Sequence, residues 1–211
     1  MSETITFNTS NGSFITKDEY SEVWNIQELK DAGVWEKKRY VSAEGLVEEV
    51  KKLGQRDLVG LEIGIASGWN MDYFLEEIPS LILTGVDPYE PYQDTHRFIG
   101  EEIMNSQHIA TLSNMKKYGH RAIVIKDKSE NIVDKFEDGS LDYIFIDGEH
   151  SYEAVLRDCI NFYRKVRSGG IFSGHDFHRI EVQKALSEFR ENNTMPEIKR
   201  THNQVWYWIK P

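Results

Sequence analysis

Short apolar runs recur along this chain, separated by stretches in which apolar residues return every three or four positions. The runs cover residues 58–63, 81–86, 122–125, 141–146 and 171–174, and turn signals bound each of them. Runs of this length and setting predict buried strands. The intervening periodicity predicts helices over 18–33, 42–53, 98–118, 151–166 and 179–192, and a shorter one through Ile132, Val133 and Phe136. Ser42 can cap the second helix and Gly54 can end it, while Ser168-Gly169-Gly170 should stop the helix that begins near 151. On 98–118 the expected apolar face is Ile99, Ile103, Ile109, Leu112 and Met115. Residues 197–202 and 204–209 have no helix between them and read as an antiparallel pair turning at Asn203. Strands alternating with helices call for an α/β fold, a mostly parallel sheet covered on both faces, with the antiparallel pair at one edge.

The first run carries a distinctive tail. Residues 58–68 read LVGLEIGIASG, and Trp69-Asn70-Met71-Asp72 can then open a helix. Gly64 and Gly68 lack Cβ atoms, so a ligand can approach the backbone of the turn. Glu62 falls at the strand's C-terminal end, where open α/β sheets bind their ligands. A dinucleotide turn places its middle glycine where Ala66 stands, and a carboxylate at the tip suits a cationic or hydroxyl-bearing ligand better than a pyrophosphate. Glu62-x-Gly64-x-x-x-Gly68 resembles the first motif of class I S-adenosylmethionine (SAM)-dependent methyltransferases. A nicotinamide-dependent oxidoreductase on a similar sheet is a rival that Ala66 counts against.

The second run ends in Asp87-Pro88, 25 positions beyond Glu62. An acid about this far past a glycine turn can hold the two ribose hydroxyls, or it can cap a turn. The third run is followed by Asp127-Lys128-Ser129, the loop that holds adenine in the methyltransferases this chain resembles; Ser129 can also cap a helix. Residues 88–120 form a long connection in which Tyr89, Tyr92 and His96 could face an acceptor, with exposed loop positions as the plainer reading.

The fourth and fifth runs narrow the resemblance. Phe145-Ile146-Asp147-Gly148-Glu149-His150-Ser151-Tyr152, a helix, then Gly169-Gly170-Ile171 to His175-Asp176 resembles the family of macrolide-sugar O-methyltransferases and cephalosporin hydroxylase relatives. Catechol-type O-methyltransferases are more distant. The resemblance implies a Rossmann-like class I fold with a seven-stranded sheet, covering residues 57–209. It implies SAM held by Glu62, Gly64, Ile65, Ala66, Gly68, Asp87, Pro88, Asp127, Lys128, Ser129 and Asp147. Asp147 and Asp176, at neighbouring strand tips, could share Mg²⁺ or another divalent cation. Phe177 stands where catechol-type enzymes place a third ligand, and His175 or His178 could compensate. His150 has an imidazole suited to removing a hydroxyl proton near neutral pH. It could instead ligate metal, orient Asp147, or bond across the loop to Tyr152. A SAM-independent metal enzyme built on Asp147, His150 and Asp176, and a binding module keeping only the fold, are further rivals.

Composition adds limits. With 211 residues, 39% hydrophobic and 28% charged, one soluble domain is expected, residues 1–56 forming a helical cap on a core from 57. A net charge of −10 argues against a nucleic-acid partner. The cluster Lys116, Lys117, His120 and Arg121 reads as a solvated loop. Cys159, the single cysteine, falls on an apolar helix face and reads as a packing thiol. No leader or membrane-length apolar run is visible, which makes a cytoplasmic location the default expectation. The apolar closing strand and the N-terminal helices could support a homodimer. The acceptor expected is a small molecule or sugar.

Overall fold

The computed structural model describes residues 43–54, 56–93, 98–191, 195–201 and 203–211. The expected helix at 18–33, Ser42 as a cap, and His96 lie outside these residues. Helix α1 (Glu44–Lys51) leads to β1 (Leu58–Ile63), α2 (Trp69–Glu77) and β2 (Leu81–Asp87). A two-stranded ribbon, β3 (Tyr92–Gln93) with β4 (Phe98–Ile99), precedes α3 (Glu101–Met115) and β5 (Ala122–Lys126). Then come β6 (Leu141–Ile146), α4 (Tyr152–Phe162), β7 (Val166–Gly174), α5 (Ile180–Glu191), β8 (Lys199–Arg200) and β9 (Trp206–Ile209).

The main sheet has seven strands in the order β5-β2-β1-β6-β7-β9-β8. The first five are mutually parallel, and β9 runs antiparallel to both β7 and β8. The expected antiparallel pair is therefore present, with the last strand inserted between β7 and the short edge strand. Trp206, Tyr207 and Trp208 are buried inside the chain's own sheet, and Ile209 at the strand's end is exposed.

Side chains alternate between two cores. From β6, Tyr143 and Phe145 pack with Leu46, Val50, Phe74 and Leu75 of α1 and α2. Ile144 and Ile146 point the other way, toward Val155, Cys159 and Phe162 of α4 and Val182, Leu186 and Phe189 of α5. Cys159 is fully buried, and burial pushes its thiol pKa well up, as a packing role requires. Ser151 caps α4, its Oγ accepting from the Ala154 amide at 3.3 Å. Among the described residues no helix is long and apolar enough to cross a membrane.

Several local expectations change. Helix α4 ends at Phe162, and Gly169-Gly170 lie within β7, where the pairing with β6 is irregular. Gly170 is there for space: a Cβ would press on the carbonyl oxygen of Asp142 at 2.7 Å. The 98–118 stretch opens as ribbon, and α3 buries Met104, Ala110, Thr111 and Met115 while Ile109 and Leu112 face solvent. The 129–136 stretch forms two single 3₁₀ turns, Ser129–Asn131 and Val133–Lys135, in place of a helix. The basic cluster is not a free loop. Lys117 pairs with Asp72 at 2.8 Å, and Arg121 donates to the carbonyls of Leu75, Ile78 and Leu81 at the end of α2.

Candidate active site

The residues assigned to SAM, metal and base from sequence fall at or just beyond the C-terminal ends of the parallel strands. Two groups occupy this rim. One lies over β1, β2 and β5, and the other over β6 and β7.

The turn after β1 is held in a strained shape by specific bonds. Gly64, Ala66 and Gly68 have φ of 82°, 42° and 74°. An alanine in this region costs about 1 kcal/mol or more, so the surroundings must impose it. Asp87 does so from the tip of β2. Its Oδ2 accepts the amides of Ile65 and Ala66 at 3.1 and 3.0 Å, and its Oδ1 accepts the Tyr89 amide at 2.8 Å. The Ala66 carbonyl accepts from the hydroxyls of Tyr89 at 3.0 Å and Thr111 at 2.7 Å. Burial raises the Asp87 pKa, against the three amides, which favour the charged form.

Asp87 is thus first a brace for the turn. Oδ2 is filled by its two amides, but Oδ1 can still accept one further bond, so contact with a ribose hydroxyl is compatible with that work. Tyr89 is 2% exposed and clamps the turn, with His108 against its ring at 4.5 Å; it is not a free loop residue. Tyr89 and Thr111 were not singled out as turn clamps by sequence reasoning, and nothing in their spacing marks them. The glycines also have a reason internal to the chain. A Cβ on Gly64 would run into the backbone of Asp147 and Gly148, and one on Gly68 would meet Thr111 Cγ2 at 3.1 Å.

Glu62 is 2% exposed, and its Oε2 has no hydrogen-bond partner. Burial, then the nearby Asp147 charge, raise its pKa well above the carboxylate range, with Asn70 opposing by a hydrogen bond. A buried carboxyl with an orphan oxygen is costly. It fits a site that receives a cationic group. On the other side of the turn, Pro88, Tyr89, Lys126, Asp127, Lys128 and Asn131 line a cleft of about 590 Å³. That volume is within the range of small-molecule sites. Asp127 is fixed there by the Asn131 amide at 2.7 Å and the Lys128 amide at 2.8 Å, which lower its pKa. Ser129 sits apart from these. Its Oγ donates to Asp158 of α4 at 2.6 Å in a buried pair, so its side chain faces inward and does not cap a helix. Burial pushes Asp158 up to about 6, against that hydrogen bond.

Over β6 and β7 the contacts run between side chains. Asp147, His175 and Asp176 each offer one ligand atom, all within 4.8 Å of one another. His175 Nδ1 lies 3.2 Å from Asp147 Oδ1 and 3.6 Å from Asp176 Oδ1. Its Nε2 lies 2.7 Å from the Asn203 carbonyl. Burial disfavours protonated His175, but the bond to Asp147, the charges of Asp147 and Asp176, and the Asn203 carbonyl together raise its pKa. Asp176 adopts φ 57° and gathers further partners: His150 Nε2 at 3.1 Å, Arg179 Nε at 3.4 Å and His178 Nδ1 at 3.6 Å. His150 therefore meets Asp176. Tyr152, the alternative partner across the loop, bonds Glu188 instead.

A mostly parallel sheet in this strand order, with a braced glycine turn and a buried carboxyl at its first tip, defines a Rossmann-like methyltransferase fold. The chain belongs to the methyltransferase domain family, which its residues 61–177 match. Membership implies SAM as the methyl donor. The O-methyltransferase NovP superposes with a TM-score of 0.58 at 18% identity, over 78% of this chain and 79% of that one. A precorrin-6y C5,15-methyltransferase from Geobacter metallireducens gives 0.55 at 16% identity, over 92% and 94%. Similarity at these identities shows the fold alone. An uncharacterised protein of Acanthamoeba polyphaga mimivirus is 25% identical over 121 residues, 57% of this chain, and the match spans about half of that relative (52%).

Proposed function

We propose that this chain moves the methyl group of SAM to a hydroxyl of a small molecule or sugar, with a divalent cation at Asp147 and Asp176. The observation that carries this reading is a juxtaposition on one rim. The Glu62 carboxyl, with its unpartnered Oε2, and the Asp87-braced turn lie beside a cluster of two acids and two imidazoles. SAM bound there would supply an electrophilic methyl group.

The chain's residues divide the remaining work. Glu62 would receive the ammonium end, with Gly64, Ile65, Ala66 and Gly68 shaping the turn around it. Asp87 and Pro88 would meet the ribose, and Asp127, Lys128 and the backbone at Ser129 the adenine. Asp147 stands between the two groups, raising the Glu62 pKa on one side and meeting His175 on the other. His150 is the base in this reading. Donating Nε2–H to Asp176 leaves its Nδ1 free to take a proton from the acceptor hydroxyl. Asp176 then orients His150 through Oδ2 while Oδ1 faces the candidate cation site. Such a cation would lower the pKa of a bound hydroxyl. Holding donor and acceptor in line is worth about 7–11 kcal/mol of the barrier in well-oriented systems.

A panel of sugar, phenol and amine acceptors, assayed with methyl-labelled SAM, tests the acceptor class. Label on hydroxyls that is lost after chelation supports the reading. Label confined to amines, or undiminished after complete metal removal, contradicts it.

A further inference from the structure

We propose that His175 Nδ1 is itself a metal ligand, and that with Asp147 and Asp176 it makes the site select a first-row transition ion such as Mn²⁺ over Mg²⁺. The inference rests on the reading of the two aspartates as cation ligands, and not on methyl transfer.

The geometry of the imidazole carries it. Nε2 faces the Asn203 carbonyl at 2.7 Å, and a carbonyl can only accept. The ring proton therefore sits on Nε2, which leaves Nδ1 with its lone pair when the ring is neutral. A backbone carbonyl behind the far nitrogen is the usual way a ligating histidine is oriented. Nδ1 points at Asp147 Oδ1 and Asp176 Oδ1, 3.2 and 3.6 Å away. Adjacent donors on one ion with bonds of about 2.1 Å stand about 3.0–3.4 Å apart, so these separations are close to what shared ligation needs.

The surroundings hold the ring in place. Its own carbonyl accepts from Trp206 Nε1 at 2.9 Å, and Phe145 lies 6.5 Å from it, centroid to centroid. Asn203, whose carbonyl meets the ring, and Gln204, whose carbonyl accepts the Phe177 amide, have φ of 60° and 63°, and Asp176 has 57°. Three non-glycine residues in the left-handed region beside one histidine mark a place where the fold accepts strain to set a geometry. One imidazole and two carboxylates form a mixed donor set. Mg²⁺ prefers oxygen alone, whereas Mn²⁺ and its neighbours accept nitrogen as well.

The test uses the full chain, freed of metal and titrated with MnCl₂ or MgCl₂. Manganese binding is read from loss of the free-ion EPR signal, and magnesium by competition. Pulsed EPR of the bound ion reports nitrogen coupling. Wild type should bind Mn²⁺ at least about tenfold more tightly than Mg²⁺ and show imidazole coupling. H175A should lose the coupling and weaken Mn²⁺ by about 10–100-fold, as losing one ligand implies. H175D should narrow the Mn²⁺ preference. Bound Mn²⁺ without nitrogen coupling, equal affinity for both ions, or no binding of either would overturn the proposal. A thermal shift with SAM on the same samples separates the two readings. A shift without Mn²⁺ binding leaves the methyltransferase and removes the metal site, whereas Mn²⁺ binding without a shift does the reverse. The shift also reports that each variant is folded.

Discussion

The two halves of the rim are built in different ways. Over β1 and β2 the key contacts are between side chains and the main chain: Asp87 to three amides, and Tyr89 and Thr111 to one carbonyl. Over β6 and β7 they are between side chains, with Asp176 within 3.6 Å of three imidazoles and one guanidinium. A main-chain-braced half keeps its shape before a ligand arrives, which suits a constant cofactor. A half made of ionisable side chains can change protonation and partners, which suits chemistry. The consequence is a division of labour in which damage to one half should leave the other's task intact.

His150→Ala tests that division most severely. Turnover should fall by about 10²–10⁴, the usual worth of a general base, while SAM affinity stays within about threefold. Equal losses in both would mean the halves are not separate. Gly64→Ala attacks the seam between them, because its Cβ would enter the Asp147 backbone at a positive φ. We expect a loss of about 3–5 kcal/mol in urea denaturation. Gly54→Ala, with a positive φ but no atom within 4 Å, should cost only about 1–2 kcal/mol. Similar costs for the two would show that backbone strain, and not the meeting of the halves, makes Gly64 necessary.

The Asp158–Ser129 pair is a second seam, joining α4 to the loop after β5. The Asp158 pKa is raised from 3.8 to about 6. The folded state therefore holds a proton that the unfolded chain releases. This favours folding at low pH, and the advantage is lost as pH rises from about 4 through 6. Two units correspond to about 3 kcal/mol. Asp158→Asn should remove that dependence, so its stability should gain on wild type by about 2–3 kcal/mol between pH 4 and pH 7. Parallel stability curves would place the Asp158 pKa in the ordinary range. Asp87→Ala completes the set. SAM should bind at least about tenfold more weakly once the turn loses its acceptor, about 1.4 kcal/mol, and unchanged binding would reduce Asp87 to a turn residue.

These contrasts also explain what could be read from the chain alone. The strand positions and the glycine turn were legible, because buried strands and glycine turns impose composition locally. Glu62, Asp87, Asp147 and Asp176 were legible as acids at strand tips. Which groups they meet was not, since pairing across the rim depends on tertiary placement. His150 meets Asp176, Asp147 meets His175, and Ser129 turns inward to Asp158. Helix α3 misled because Thr111 is buried to clamp Ala66, while Ile109, at 60% exposure, is not buried at all. Ala66 carries no mark of its positive φ, because the brace that imposes it comes from Asp87, Tyr89 and Thr111, all distant in sequence.

The central claim is that the buried carboxyl of Glu62, through its unpartnered Oε2, receives the cationic end of SAM. Thermal unfolding of wild type and Glu62→Gln, each with SAM, its demethylated product or NAD, tests it directly. Wild type should be stabilised by SAM and by the product, by about 2.7 kcal/mol at one hundred times the dissociation constant, and not by NAD. Glu62→Gln should unfold at a higher temperature than wild type without ligand, because a desolvated carboxyl is gone, yet gain much less from SAM. Stabilisation of wild type by NAD and not by SAM, or an undiminished SAM shift in Glu62→Gln, would contradict the account.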